Sequence, residues 1–141
     1  MTSNIPFITD VGAEPYALHL HDAAKRNTNY RAVLWTGKHL QLTVKSLHPG
    51  EDIGLEAHPH LDQFIRIEDG RGLVRMGTAQ NDLQFSAQLR EGDAVLVPAG
   101  TWHNIINTGR ETLKLSSVYG PPDHPRGEIE PRHPAAQQFN F

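Results

Sequence analysis

Residues 92–107 read GDAVLVPAGTWHNIIN, and this stretch decides the fold. Gly92-Asp93 turns the chain into a short apolar run at 94–97. Pro98-Ala99-Gly100 then makes a tight corner, because proline presets the φ that enters a turn and glycine accepts the conformation that closes it. A second short run follows at 102–107. Side chains of an extended chain repeat every two residues, so His103, Ile105 and Asn107 fall on one face.

The flanking sequence has the same texture. From Tyr30 onward, short apolar segments are punctuated by Gly, Pro, Asn and Asp. Residues 33–36 end at Gly37-Lys38, after which Leu40, Leu42 and Val44 alternate with Gln41, Thr43 and Lys45. That period-two pattern beside a turn signal predicts a half-buried strand pair. Pro49-Gly50 and Gly54 break the chain before a segment at 55–68, which Asp69-Gly70 joins to 73–76 as a hairpin. Leu83, Phe85, Ala87 and Leu89 alternate again, and a run at 113–119 closes the pattern. About eight or nine short strands with regular turn signals predict an all-β sandwich or closed barrel. Leu18, Ala23 and Ala24 predict one short helix within 16–25. Beyond Pro121 the prolines at 121, 122, 125, 131 and 134 bar the chain from a sheet interior. The expected organisation is an N-terminal arm with its short helix at 1–30, a barrel at 31–120 and a proline-rich tail at 121–141. Such a C-terminal tail is suited to covering the barrel mouth or embracing a partner subunit.

The order Gly92, five residues, Pro98, one residue, Gly100, two residues, His103, three residues, Asn107 matches the second motif of the cupin superfamily at every position. The first motif of that family is Gly, five residues, His-x-His, three or four residues, Glu, six residues, Gly. His58-Pro59-His60 is the obvious candidate, yet the residue six places before His58 is Asp52, and only two residues separate His60 from Gln63. Sliding the register by two restores every interval: Gly50, five residues, Glu56, one residue, His58, four residues, Gln63, six residues, Gly70. The sequence from about residue 40 to 119 thus resembles a small single-domain cupin. The resemblance implies an antiparallel jelly-roll barrel (a double-stranded β-helix), with His103 projecting inward as a metal ligand, and a homodimer.

Two inner sets follow from the two registers. The first is Glu56, His58, Gln63 and His103; the second exchanges Glu56 for His60. Glu56, His58 and His60 are expected on one face of an extended strand, with His60 or Glu56 available to move a proton. Two imidazoles, a carboxylate and an amide oxygen suit one divalent zinc, iron, manganese or nickel ion. These ligand types are also similar to the metal site of type I mannose-6-phosphate isomerases, which are themselves cupins.

Composition narrows the function. The absence of cysteine excludes disulfides, a thiolate nucleophile and a zinc–thiolate site, leaving nine histidines as the nitrogen ligands. A net charge of −3 without a basic stripe argues against nucleic acid. No run of 18 apolar residues and no readable signal peptide are present, so a cytoplasmic location away from membranes is expected. Three functions remain: a metal-dependent isomerase, epimerase or lyase acting on a small molecule inside the barrel; a non-haem iron dioxygenase; and a non-catalytic small-molecule-binding module. Asn107 is expected to bond backbone at a strand end. His19, His21, His39, His48, His124 and His133 are expected at the solvent-facing surface.

Overall fold

A computed structural model describes residues 10–135. In chain order it contains α1 (Leu20–Arg26), β1 (Arg31–Thr36), β2 (Gln41–Leu47), β3 (Asp62–Asp69) and β4 (Arg71–Gly77). These are followed by β5 (Phe85–Arg90), β6 (Ala94–Val97), β7 (Trp102–Asn107), β8 (Leu113–Gly120) and β9 (Ile129–Glu130). The strands form a six-stranded sheet in the order β6-β3-β8-β2-β1-β9 and a three-stranded sheet in the order β5-β4-β7. All their pairings are antiparallel. Two isolated bridges, Asp52 with Ile106 and Glu56 with His103, lay the chain before β3 along the free edge of β7. This is the jelly-roll arrangement that the family resemblance implied.

The inward faces explain the order of the sequence. On the large sheet the registered rows Gln41–Tyr119–Gln63–Val97 and Thr43–Ser117–Ile65–Val95 point inward, followed by Lys45, Leu115 and Ile67. One end of the interior is apolar, where Leu47, Ile65, Ile67, Val74, Val95, Ile105, Leu113 and Leu115 pack together. The other end holds Gln41, Thr43, Lys45, Gln63, His103 and Ser117, all buried. A polar patch inside a barrel is costly unless it is paired or serves a ligand. The apolar end therefore supplies stability and the polar end is the candidate for function.

On the outer face of the large sheet, α1 lays Ala24 over Ala32, Leu34 and Val44, with Leu18, Leu20 and Ala23 around them. The helix starts at Leu20, four residues later than the window the apolar spacing suggested, because His19 is its cap: Asp22 N donates to His19 Nδ1 at 3.3 Å. Asn107 is fully structural. Its side-chain amide donates to Leu47 O at 2.9 Å and Glu111 O at 2.8 Å, and its oxygen accepts from Gly109 N at 2.9 Å. Asn107→Ala leaves the Leu47 carbonyl unpaired in the core, so an unfolding titration is expected to show a loss of about 2–4 kcal/mol. A loss under about 1 kcal/mol would contradict this account.

Two expectations are corrected. Residues 55–61 are not strand: β3 begins only at Asp62, and Pro59 and His60 form a turn. Gly54, at φ +87°, swings the chain away first, and Pro59 has no N–H to give a ladder. Glu56, His58 and His60 consequently do not share one strand face. The tail also does more than avoid the sheet interior. Gln41 Oε1 accepts from Asp123 N and His124 N, its Nε2 donates to His124 O, and β9 pairs with the edge of β1. One buried glutamine thereby pins the arm across the polar end of the barrel.

Candidate metal centre

His103 is the anchor. Its position on β7 turns it inward, with no exposed surface. Its Nδ1 lies 3.1 Å from Thr101 O, a carbonyl that can only accept, so the ring proton sits on Nδ1 and Nε2 presents a lone pair to the interior. That Nε2 is buried and has no hydrogen-bond partner.

Glu56 reaches the same place through the backbone. Glu56 N donates to His103 O at 3.1 Å and His103 N donates to Glu56 O at 2.9 Å, the two-bond exchange of a directly opposed antiparallel pair. Opposed side chains lie on one face, so Glu56 Oε2 comes to 3.7 Å from His103 Nε2. His58, two residues on, is held by its carbonyl, which accepts from Gly100 N at 2.8 Å. This contact joins the Pro98–Gly100 corner to the first motif. His58 Nε2 stands 3.4 Å from Glu56 Oε2, and the His58 and His103 rings are 5.6 Å apart. One ligand atom from each of Glu56, His58 and His103 lies within 4.8 Å of the others.

Gln63 enters from the large sheet, 5 % exposed, with Nε2 3.4 Å from Ser117 Oγ and Oε1 buried without a partner. Its cross-strand neighbour Tyr119 meets the His58 ring edge-on at 6.1 Å. Two buried acceptor atoms, His103 Nε2 and Gln63 Oε1, thus have no hydrogen-bond partner, and the buried His58 Nε2 has only the long 3.4 Å approach to the Glu56 carboxylate. Native interiors rarely leave such atoms unpaired, and a divalent cation among Glu56, His58 and His103 would satisfy both imidazole nitrogens. The residues present fit an ion.

The electrostatics agree. Burial pushes the Glu56 carboxyl up, but the His58 bond, with Lys45, His58 and His103 nearby, outweighs it and holds the group below the usual carboxylate range. Burial lowers His103, keeping it neutral and able to coordinate. His58 is raised, chiefly by its bond to Glu56. In the absence of a cation the glutamate and His58 therefore share the charge that an ion would neutralise.

Of the residues singled out from sequence, the structure brings Glu56, His58 and His103 together and buries Gln63 on the facing sheet. It places His60 at an exposed turn, outside the cluster. Three neighbours carried no sequence signal. Asp123 Oδ1, from the arm, is 3.8 Å from His58 Nδ1. Tyr119 is buried, its phenol pushed well above the usual range by burial and by Glu56. Its hydroxyl is 3.3 Å from His124 Nε2. Tyr30, pushed up to about 12 chiefly by burial, approaches Ile53 O with its hydroxyl. The expectation that His124 and His133 face solvent is corrected, since His133 Nε2 lies 2.7 Å from Asp52 O and both rings pack on tyrosines. His21 likewise contacts the buried Glu68 at 3.1 Å instead of standing free. Of the remaining histidines expected at the surface, His39 and His48 are exposed.

Comparison with known proteins gives the same reading. Residues 43–119 match the family described as "Cupin domain". A crystal structure of BH2720 from Bacillus halodurans is 53 % identical with a TM-score of 0.87, covering 88 % of this chain and 94 % of that one. The uncharacterized protein YrkC of Bacillus subtilis (strain 168) is 52 % identical over 122 residues, 86 % of this chain. The chain spans 66 % of that relative's length, just under two thirds. An uncharacterized protein of Acanthamoeba polyphaga mimivirus is 42 % identical over 120 residues, covering 84 % of this chain and 73 % of its own. With both motifs, the two-sheet jelly roll and these relatives in agreement, the chain belongs to the cupin family.

Proposed function

We propose that this protein is a metal-dependent enzyme that acts on a small molecule at the polar end of its barrel, by isomerase-, epimerase- or lyase-type chemistry. The observation that carries the reading is the convergence of Glu56, His58 and His103 within 4.8 Å, with the buried His103 Nε2 left without a hydrogen-bond partner. Glu56, His58, His103 and Gln63 would hold one divalent ion of zinc, manganese, nickel or iron. Such an ion, when bound, polarises a carbonyl or enediolate oxygen and stabilises the charge that develops there. The chain's own contribution is to present Glu56 as a carboxylate able to take a proton. His103 is kept neutral, and the arm at 121–133 keeps water from the site. His60, exposed in its turn, is assigned no place among the ligands.

The test is elemental analysis of protein purified without chelator or added metal. Near one equivalent of zinc, manganese or nickel is the expected result, and an empty site that stays empty when metal is offered would overturn the reading. Glu56→Ala is expected to lower metal retention by about one to two orders of magnitude while His60→Ala leaves it unchanged. The reverse pattern would restore the rival register. A second reading has its own support, because two histidines and one carboxylate also form the set used by non-haem iron oxygenases. Near one equivalent of iron, with substrate-dependent oxygen uptake, would select it. Retention of small molecules without turnover would select a binding module instead.

The outer face of the large sheet supports a homodimer. Leu96, Phe64, Val118 and Leu42 are adjacent in the strand register, and Leu96 is 70 % and Phe64 37 % exposed, with Leu40 beside them. Light scattering is expected to give a dimer mass for the native protein and a monomer for Phe64→Glu/Leu96→Glu. A monomeric native protein would refute the pairing. Among the described residues no helix is long and apolar enough to cross a membrane. The proposal places the enzyme in the cytoplasm.

A further inference from the structure

Lys45 lies on the inward face of β2 and is only 7 % exposed. Its ammonium rests over the Tyr30 ring, 4.9 Å from the centroid. Among the described residues it makes no ion pair. The carboxylates that might have served it are already engaged. Glu128 and Glu130 of the arm both pair with Arg31, the cross-strand partner of Lys45, with Arg31 Nε at 3.4 Å from Glu128. Glu56 belongs to the ion site, and Asp123 faces His58 and His124.

A desolvated ammonium with only an aromatic face beside it is costly, and a fold keeps one when something else brings the counter-charge. Burial, reinforced by Arg31, lowers this lysine to about 8 despite the pull of Glu56, Glu130 and Asp123. Two residues earlier on the same face, the fully buried Thr43 hydroxyl forms no close hydrogen bond and interacts only loosely with the Tyr119 hydroxyl. An unpaired cation and a loosely held hydroxyl on one inward strand face, with Tyr30 as the wall between them and the segment leading to Glu56, make a half-built anion site.

We propose that Lys45, with Thr43, receives a carboxylate group of the substrate, so that the small molecule handled by this barrel is a carboxylic acid anchored here while its reacting end faces Glu56, His58 and His103. A carboxylate is favoured over a phosphate because Lys45 is one fixed charge, whereas the neighbouring Arg31 guanidinium, suited to bidentate phosphate binding, is already occupied by two glutamates. The inference rests on the ion-site reading only for the position of the other end of the molecule.

The experiment uses the full chain with whatever metal it retains. Malonate, the uncharged malonamide and inorganic phosphate are titrated by calorimetry into native protein, Lys45→Met and Thr43→Val, and the metal content of each sample is measured. Malonate is expected to bind native protein and to bind Lys45→Met at least about tenfold more weakly, with metal content unchanged. Thr43→Val is expected to weaken it less, and malonamide to bind neither protein. Removing a buried unpaired charge does not threaten folding, so Lys45→Met is a usable variant. Absence of malonate binding to native protein, equal binding by Lys45→Met, or binding of malonamide as tight as malonate overturns the proposal. Lys45-dependent binding of phosphate in place of malonate also overturns it. A fall of metal content in Lys45→Met would show that the lysine acts through Glu56 and would overturn it as well. Native protein without metal that still binds malonate through Lys45 would defeat the ion-site reading and leave this one standing.

Discussion

His103→Ala protein, purified beside the native form without chelator, is expected to carry less than about a tenth of the metal found in the native sample while remaining folded. The expectation follows from how this one imidazole is held. Its Nδ1 hydrogen is committed to Thr101 O, its ring is fully buried on β7, and its Nε2 has no other partner. It also places Glu56, whose backbone is paired to that of His103 in both directions. Changing an outer partner of a metal ligand typically costs 10–100-fold in affinity, so loss of the ligand itself should cost at least about that. Alanine keeps the backbone exchange with Glu56, so the barrel should hold, and the strand signature in circular dichroism should match the native protein. Metal binding stabilises the folded state by mass action, so added metal should raise the native melting temperature and leave that of the variant unmoved. A variant that keeps its metal would show that the ion is held elsewhere.

The second large effect concerns stability and has the opposite sign. Lys45→Met is expected to unfold at a higher temperature than native protein at pH 7. Relative to an unfolded lysine near 10.5, a folded value of about 8 means that the native state holds this proton poorly. Stability associated with this group is fully present only above the unfolded value and is lost as pH falls through the folded one. Below about pH 8 the native protein therefore bears the whole penalty, on the order of 3 kcal/mol, and between about 8 and 10.5 the penalty fades. The cation–π contact with Tyr30 offsets part of it, so about 3 kcal/mol is an upper bound. For a domain of this size 3 kcal/mol corresponds to roughly 6–12 °C in melting temperature. Unfolding titrations of both proteins at pH 7 and pH 10 check it: the gap should be large at the first and small at the second. An equal gap at both values, or a variant less stable than native at pH 7, would mean that Lys45 has a counter-ion in solution. A residue that lowers stability while lining the polar end fits a site that sacrifices stability for binding.

The two parts of the candidate site differ in how far local spacing reveals them. His103, Pro98 and Gly100 obey a short-range rule, since a corner followed by a strand of period two sends one known side chain inward. The interval from Gly50 to Gly70 singled out Glu56, His58 and Gln63 because its spacing matches the first motif of the family it resembles. The reading of 55–61 as one strand did not survive, for Gly54 and Pro59 break the ladder, and His60 consequently turns outward. Periodicity measures alternation and is blind to where a ladder stops.

By itself the sequence determined the all-β class, the family resemblance carried by the two motifs, with the jelly roll it implied, and the short list of metal-ligating candidates. Each of these depends on residues within about twenty positions of one another, where turn chemistry and strand period act directly. Only the tertiary structure decided which acceptor atoms are left unpaired, that Lys45 is buried without a carboxylate, and that Asp123 and His124 return over the mouth. Those facts depend on which distant strands become neighbours and on how far water is excluded between them. The cost of burying a charge is a property of its surroundings, and an isolated stretch of sequence has none.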